Sequence, residues 1–286
     1  MELRRFADVE EFLARAERYL LEHEAEHNLI LGLCAGLLHG DRPERPPYLA
    51  VVEDGAEVVL AAIRTPPYHN VLSRCAAPQA LDLLLCDLSS SLGALSGVNG
   101  PAEIAGAFAD RWRAATGGRV ELSMAQRIYQ LDQVVPALRA QGRLRRVGIG
   151  DRDLVVDWRE DFQRAAMGGS REDAEKAADL YLRADPEVRG LFLWEVEGRS
   201  VSMAGYTGAT PHGVRIGAVY TPPPLRRRGY ASAAVAALSQ QLLDSGRRFC
   251  FLYTDLANPT SNHIYQEIGY RPVADSSLYR FDLGRA

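Results

Sequence analysis

Apolar and polar positions along the first half of the chain follow both helical and strand-like patterns. Before the proline-containing segment 40–47, apolar residues recur at three- to four-residue spacing, so the first forty residues are predicted to be helical. Two β-rich runs then flank residues 53–56, which is a hairpin signal. The predicted strands span 48–52 and 57–64, the predicted helices span 81–92 and 102–116, and 119–135 is strand-like with Pro136 following.

The second half alternates more regularly between the two periodicities. The run 249–253 is short and fully apolar, which is typical of a buried parallel strand. The predicted helices span 157–167, 171–184, 231–243 and 258–268, and the predicted strands span 191–196, 200–206, 214–220, 249–253, 271–273 and 278–281. This alternation predicts an α/β or α+β fold, with a mixed, partly parallel sheet flanked by helices.

The length and a weak internal repeat both indicate two domains. A chain of 286 residues is long enough for about two domains of roughly 150 residues each. When Gly55 is aligned on Gly198, the hairpin of the first half falls on a similar pattern in the second half, at half the chain length. We therefore expect tandem domains at 1–142 and 143–286, with a boundary near Gly142.

Composition and charge exclude several classes of protein. Apolar residues make up 47% of the chain and charged residues 24%, which is ordinary for a globular protein. The longest uncharged apolar run, 29–38, is far shorter than the roughly 20 residues of a membrane-spanning helix. The first residues lack the apolar core of a secretory signal, so a cytoplasmic protein without a membrane partner is expected.

Neither nucleic-acid binding nor metal binding is indicated by the charged and ligating residues. The net charge is −4 and the arginines are scattered, whereas a nucleic-acid-binding domain gathers basic charge on one face. The four cysteines form no CxxC pair and the six histidines form no metalloprotease-type pair. We expect no metal, no disulfide framework and no nucleic-acid partner.

One segment, 216–231, carries the pattern of an anion-binding site. A strand ends at Tyr220, three prolines force an extended bend, and Arg226-x-x-Gly229-x-Ala231 then opens a long helix. The first turn of a helix has unpaired N–H groups and a partial positive charge, and small residues there let a phosphate approach the backbone. Neither a P-loop nor a Rossmann glycine pattern is present. A basic, solvated helix start is the plainer interpretation of the arginines alone.

A second segment, 253–272, places polar side chains at the end of the buried strand. Asn258 can cap a helix that starts at Pro259, and Tyr265 lies two helical turns further along the same face. An asparagine and a tyrosine would then point into the cleft beside the preceding strand. A tyrosine that only fills the contact between helix and sheet is the alternative.

Together these two segments resemble the GNAT superfamily of acyl-CoA-dependent N-acetyltransferases. Arg226-x-x-Gly229-x-Ala231 matches the family's pyrophosphate motif, and 258–272 resembles its next motif. The resemblance covers about 144–281. It implies that 219–221 pair with the pantetheine arm, that the amides of 227–232 hold the pyrophosphate, and that Asn258 contacts the cofactor. The implied cofactor-binding residues are Val219, Tyr220, Thr221, Arg226, Arg227, Arg228, Gly229, Tyr230, Ala231, Ser232 and Asn258.

The resemblance implies direct transfer of an acetyl group from acetyl-CoA to an amine. Tyr265 would protonate the departing thiolate, and the Val219 N–H would stabilise the oxyanion. The general base stays open. Glu195, His212 and Asp255 are candidates, and a water relay or an amine that arrives already neutral would also suffice. His263 is expected to face solvent.

The function expected from this resemblance is N-acetyltransfer to the primary amine of a small molecule. The first half resembles a GNAT domain that has lost its cofactor site, because residues 70–78 contain no glycine. One cofactor per chain is therefore expected. A longer acyl-CoA donor, or a non-catalytic acyl-CoA-binding or sensing protein, remains an alternative.

Overall fold

The computed structural model describes residues 1–43, 45–135, 140–166 and 169–283, and it contains both helices and strands throughout. Pro136 and the predicted helix end at Met167 lie outside the described residues. The helices are α1 Val9–Leu21, α2 Glu24–Leu38, α3 Ala80–Leu92, α4 Ala102–Thr116, α5 Arg152–Ala166, α6 Arg171–Leu182, α7 Tyr230–Asp244 and α8 Pro259–Ile268. The strands are β1 Glu2–Phe6, β2 Tyr48–Asp54, β3 Glu57–Arg64, β4 Asn70–Cys75, β5 Gly97–Pro101, β6 Arg119–Leu131, β7 Arg143–Arg146, β8 Gly190–Val196, β9 Arg199–Thr207, β10 Gly213–Tyr220, β11 Phe249–Asp255 and β12 Arg271–Asp282.

The chain divides into two compact units that are not two contiguous halves. The first unit contains Met1–Tyr129, Tyr253–Pro259 and the residues from Pro272 onward, and the second contains Gln130–Leu252 and Thr260–Arg271. Each unit thus draws on both halves of the sequence. The single boundary near Gly142 stays a prediction.

In the first unit, helices pack against strands that follow the order β1-β2-β3-β4-β5-β12. All neighbours are antiparallel except β4 and β5, which are parallel. The apolar side chains of α1 and α2 form one core cluster with the sheet, and those of α3 and α4 form another. The C-terminal strand β12 pairs with β5, from Ser276 opposite Pro101 to Arg280 opposite Gly97.

In the second unit, the strands follow the order β7-β8-β9-β10-β11, with β10 and β11 parallel and the others antiparallel. Helices α5 and α6 pack on this sheet through Val155, Trp158 and Ala174, and the same core cluster includes Ala218 and Tyr220 near the end of β10. Helix α7 contacts β8, β9 and β10. The predicted mixed, partly parallel sheet flanked by helices is confirmed.

Several boundaries differ from the sequence-based predictions. Residues 2–6 form a strand instead of helix; β1 has only Phe6 buried and lies at the sheet edge, so it carries almost no apolar pattern. Strands β4 and β5 were not predicted, and 271–282 is one strand instead of two. The two hairpins have the same pairing pattern. The pair Val52–Leu60 corresponds to the pair Trp194–Ser202, so the structural alignment of the hairpins differs by one residue from the sequence alignment of Gly55 on Gly198.

Among the described residues, none of the helices combines the length and the apolar character needed to cross a membrane.

Candidate cofactor and acyl-transfer site

Strand β10 carries a β-bulge at the position of the predicted oxyanion-binding amide. Gly217 pairs with Gly205 and Tyr220 pairs with Met203, so Ala218 and Val219 together face a single residue of β9. Ala218 has a φ of 50°, which a non-glycine residue seldom adopts. A bulge leaves its extra residue outside the ladder and bends the strand. Val219 therefore lies where the regular hydrogen bonding to β9 is interrupted.

The other side of β10 is unpaired over the same residues. Its parallel pairing with β11 covers Gly213–Ile216 and Phe249–Leu252. Over Gly217–Tyr220, no described residue of β11 pairs with β10. Main-chain groups at the end of β10 are thus free to pair with an extended ligand.

The loop that follows β10 is fixed by its own side chains. The Arg226 Nε donates a hydrogen bond to the Thr221 carbonyl at 3.0 Å, and its guanidinium carbon lies 6.0 Å from the centre of the Tyr220 ring. The Ser202 hydroxyl donates to the Tyr220 carbonyl at 2.9 Å and lies 2.8 Å from the Thr221 hydroxyl. Arg226 therefore closes the proline-rich loop by joining its two ends.

Helix α7 begins with an uncapped first turn. It starts at Tyr230, and its N-cap Gly229 offers no side chain to accept from the amides of Tyr230, Ala231 and Ser232. Arg227 and Arg228 are exposed, and neither forms an ion pair with another described residue. The free amides, the helix dipole and these two cations together favour an anion at this end of the helix.

Gly229 is required by its backbone conformation. Its φ is +76°, in the left-handed region that strains other residues. A Cβ placed there would meet only the Ala140 Cβ, at 3.7 Å, which is ordinary contact. The sequence suggested that this glycine leaves space for a phosphate. The structure adds a second reason, because the loop needs a residue with a positive φ at this position.

Tyr265 lies on α8 with its hydroxyl unpartnered among the described residues. The side chain is half-buried, and its ring meets that of Tyr270 edge to face with centroids 6.0 Å apart. The Tyr270 hydroxyl lies 2.8 Å from the hydroxyl of Ser239 on α7. Burial raises the pKa of Tyr265 to about 12, above the ordinary value that the sequence alone suggested. Tyr265 is thus a neutral proton donor at any physiological pH.

Asn258 directly precedes α8 and is exposed. Its main-chain N–H donates to the Asp255 carbonyl at 3.0 Å, in the turn between β11 and α8. It belongs to the first unit, whereas Tyr265 and α7 belong to the second. Its contact with a cofactor stays a prediction.

One of the two carboxylates among the predicted base candidates, Glu195, is bound by two arginines. Its carboxylate accepts from Arg145 at 2.8 Å and from Arg143 at 3.1 Å. Arg145 first, and then Arg143, lower the pKa of Glu195 below its ordinary value. A carboxylate stabilised in this way is a poor base.

The other predicted bases are also placed unfavourably. His212 precedes β10, about 23 Å along the strand from Val219 at roughly 3.3 Å per residue. Asp255 accepts from the Ala257 N–H at 2.8 Å in an exposed turn, and His263 is exposed and pairs with Glu267 at 3.3 Å. Glu195 and His263 are thus held in ion pairs, and His212 lies at the other end of β10 from Val219.

A carboxylate that the sequence did not indicate does lie at the end of β10. The Tyr220 hydroxyl donates to Asp161 Oδ2 at 3.0 Å, and Asp161 is on α5. These residues are 59 positions apart, and an aspartate on an exposed helical face carries no motif. Only the packing of α5 on the sheet brings them together.

The first unit has a comparable bulge, but an amide there is already occupied. Leu60 pairs with Cys75 and Ala62 with Leu72, so Ser73 and Arg74 together face one residue of β3, as Ala218 and Val219 face one residue of β9. The Arg74 N–H donates to the buried His27 Nε2 at 3.0 Å. The backbone donor at this bulge is therefore satisfied within the protein.

The helix after β4 also lacks an anion-binding turn. Only residues 76–79 connect β4 to α3, and the Ala80, Leu81 and Asp82 amides donate to carbonyls of this connection at 2.9–3.2 Å. Asp82 adds an acidic side chain in the first turn. Both the free amides and the basic residues of the second unit are missing here.

The bulged strand, the proline-containing loop and the uncapped basic helix start together form a surface that favours an anionic, extended ligand. Residues 153–270 match the acetyltransferase (GNAT) family. This part of the chain is therefore a domain of the GNAT acetyltransferase family.

Solved structures extend the fold similarity to the whole chain. A GCN5-related N-acetyltransferase from Sphaerobacter thermophilus is 18% identical with a TM-score of 0.62, covering 98% of this chain and 96% of that one. A GNAT-family acetyltransferase from Colwellia psychrerythraea is 10% identical with a TM-score of 0.60, over 98% and 99%. A tandem GNAT protein from the clavulanic acid biosynthesis pathway is 13% identical with a TM-score of 0.54, over 100% and 99%. Among curated proteins, none matches this sequence. The GNAT-like fold class, with a tandem arrangement, is confirmed.

Proposed function

We propose that this protein is an N-acetyltransferase that moves the acetyl group of acetyl-CoA to the primary amine of a small molecule. The observation that carries the proposal is the uncapped, basic start of α7 directly after the bulged end of β10, inside the segment that matches the GNAT family. No metal is invoked for this reaction.

The cofactor is expected to follow the second unit from the end of β10 to the start of α7. The main-chain groups on the side of β10 that β11 leaves unpaired, at Val219, Tyr220 and Thr221, would pair with the amides of the pantetheine arm. The amides of 227–232, with Arg227 and Arg228 beside them, would bind the pyrophosphate as charge-assisted hydrogen-bond donors. Asn258 remains the expected contact near the pantetheine.

The acyl transfer then needs a hydrogen-bond donor that stabilises the oxyanion and an acid that protonates the sulfur. The amine nitrogen bonds to the thioester carbon, the carbonyl oxygen becomes negative and accepts from the Val219 N–H, and the C–S bond breaks. The sulfur takes a proton from the Tyr265 hydroxyl. The raised pKa of Tyr265 does not prevent this, because a desolvated thiolate at the same buried position also has a raised pKa.

One cofactor per chain is proposed, with the first unit as a GNAT-like domain without a cofactor site. The occupied Arg74 amide and the short, internally hydrogen-bonded connection to α3 support this. We accordingly retain 1–142 as the degenerate and 143–286 as the active sequence half.

Coenzyme A binding is tested by thermal unfolding. A ligand at 100 times its dissociation constant, bound only to the folded protein, stabilises by about 2.7 kcal/mol. Gly229→Ala should weaken coenzyme A binding at least tenfold, because the left-handed φ is lost or strained. Gly246→Ala is the matched control: it also has a positive φ, +100°, and open space, but it follows the far end of α7. Equal affinity in the two variants would contradict the assigned pyrophosphate site.

Catalysis is tested separately by the release of free thiol from acetyl-CoA with a panel of primary amines. Tyr265→Phe should reduce this release by 10²-fold or more while coenzyme A still stabilises the protein. Coenzyme A binding without any amine-dependent thiol release would instead indicate an acyl-CoA-binding or sensing protein.

A further inference from the structure

A tyrosine–carboxylate pair stands at the end of β10, one residue after the proposed oxyanion donor. Tyr220 is buried and donates its hydroxyl proton to Asp161 Oδ2 at 3.0 Å. The Asp161 side chain itself is 49% exposed, so its carboxylate is accessible from solvent. The pair thus presents a negative charge beside the end of β10.

The position of Asp161 relative to the bulge is fixed by packing. The Tyr220 ring lies 6.0 Å from the ring of Trp158, which is also on α5, and the Tyr220 carbonyl accepts from the Ser202 hydroxyl. The ring of Tyr220 is therefore fixed by packing on Trp158, and its main chain is fixed by the hydrogen bond from Ser202. Asp161 is thus linked to β10 through the side chain of the residue that follows Val219.

The charge of Asp161 is only weakly compensated. Its Oδ1 lies 3.3 Å from Arg164, whose guanidinium is 64% exposed and lies closer, 2.7 Å, to Glu160. Arg226 faces the Tyr220 ring but forms its hydrogen bond with Thr221. Glu195, by contrast, accepts from two arginines. Of these two carboxylates, Asp161 is the one with capacity to bind a further cation.

We infer that Asp161 binds the protonated amine of the acceptor and accepts a proton from its nitrogen, with Tyr220 as the positioning residue. This rests on the proposed function and narrows its substrate class to cationic primary amines. In the reaction, one ammonium proton passes through Asp161 to solvent and the free amine forms the N–C bond. The proton that the nitrogen loses as the C–S bond breaks leaves by the same carboxylate, and Tyr265 protonates the sulfur.

The test compares two kinds of amine with acetyl-CoA, a primary alkylamine such as propylamine and hydroxylamine, which is neutral at pH 7. Asp161→Asn should lower kcat/KM for the alkylamine 10²-fold or more, which is the usual contribution of a proton acceptor. The loss with hydroxylamine should be at least tenfold smaller, because this amine arrives without the first of the two protons that Asp161 accepts. Asp161→Glu should restore part of the alkylamine activity, and Tyr220→Phe should give an intermediate loss.

Asp157→Asn is the control variant, since Asp157 is exposed on the same helix and pairs with Arg171 at 3.0 Å. It should leave both rates unchanged. Thermal unfolding without and with coenzyme A checks that each variant is folded and binds the cofactor.

The outcomes separate this inference from the proposed function. Full alkylamine activity in Asp161→Asn, or equal losses with both amines, would overturn the role of Asp161 while the acetyltransferase stands. A wild-type protein that coenzyme A stabilises but that releases no thiol with either amine also overturns it. If coenzyme A fails to stabilise the wild-type protein, the proposed function itself is wrong.

Discussion

The histidine that occupies the bulge amide of the first unit is held neutral by its surroundings. The His27 Nδ1–H donates to the Leu20 carbonyl at 2.8 Å, and Nε2 accepts from the Arg74 N–H. Burial lowers the pKa of His27 to about 4. Protonation would remove the acceptor that Arg74 needs, so the charged form is disfavoured in the folded protein.

This histidine should make the first unit sensitive to acid. Between the unfolded pKa near 6.5 and the folded value of about 4, only the unfolded state binds the proton, so stability falls as the pH is lowered through this window. The loss is about 3 kcal/mol for a difference of this size. Below about pH 4 both states are protonated and no further loss comes from His27.

The measurement is the free energy of unfolding by guanidinium at pH 7 and pH 4. His27→Gln cannot be protonated, so the difference in stability between wild type and variant should shrink by about 3 kcal/mol on acidification. A constant difference would mean that His27 is charged in the folded protein.

Helices α7 and α8 of the second unit are connected through the buried Tyr270. Tyr270 connects to Ser239 on α7 by a hydroxyl pair at 2.8 Å, and its N–H donates to the Tyr265 carbonyl at 3.0 Å. The orientation of α8, and with it the Tyr265 ring, therefore depends on α7. The element that would bind the pyrophosphate also positions the proposed acid.

Two phenylalanine variants separate the structural tyrosine from the proposed acid. Tyr270→Phe should lower the free energy of unfolding by about 1–2 kcal/mol, because the buried Ser239 hydroxyl loses its partner. Tyr265→Phe should change it by less than about 0.5 kcal/mol, since no described residue bonds the Tyr265 hydroxyl. Thermal or urea unfolding of the two proteins measures both effects; equal destabilisation would refute this division of roles.

The sequence predicts an element well when the residues that define it lie close together along the chain. The end of β10, the proline loop and the start of α7 were found from one continuous segment, because the turn residues and the helix pattern lie together. Strand β4 was missed because the polar Asn70 and Ser73 are buried on either side of its two apolar residues, and β1 because its residues are mostly exposed. Elements with a motif were located well, and short strands with few apolar residues were not.

The remaining site features arise from contacts that are distant in sequence. The Tyr220–Asp161 pair, the two arginines on Glu195 and the His27–Arg74 bond each join separate elements. No spacing rule predicts such pairs from one sequence. The bulge in β10 is likewise a property of pairing with β9, so Ala218 gave no signal.

At the scale of the whole molecule, each of the two units is built from segments that are separated in the sequence. The C-terminal strand β12 belongs to the first unit, where it pairs with β5. Phe281 at its end stacks on Trp112 of α4 at 4.3 Å, and its N–H donates to the Ser96 carbonyl. The family match at 153–270 ends just before this strand.

Loss of the Phe281 ring should therefore destabilise the first unit. Phe281→Ala should cost about 3 kcal/mol or more, as is usual for a buried aromatic side chain. Leu283→Ala is the control, because Leu283 is exposed. Coenzyme A affinity should stay within a factor of a few in both variants, and a large loss of affinity in Phe281→Ala would argue against a cofactor site confined to the second unit.

The position of β12 also has a consequence for biosynthesis. While the ribosome makes the middle of this protein, β5 has already emerged but its neighbour has not yet been translated. An unpaired strand is a template for pairing with other nascent chains. We therefore expect the sheet of the first unit to be completed only after residues 271–282 have been translated.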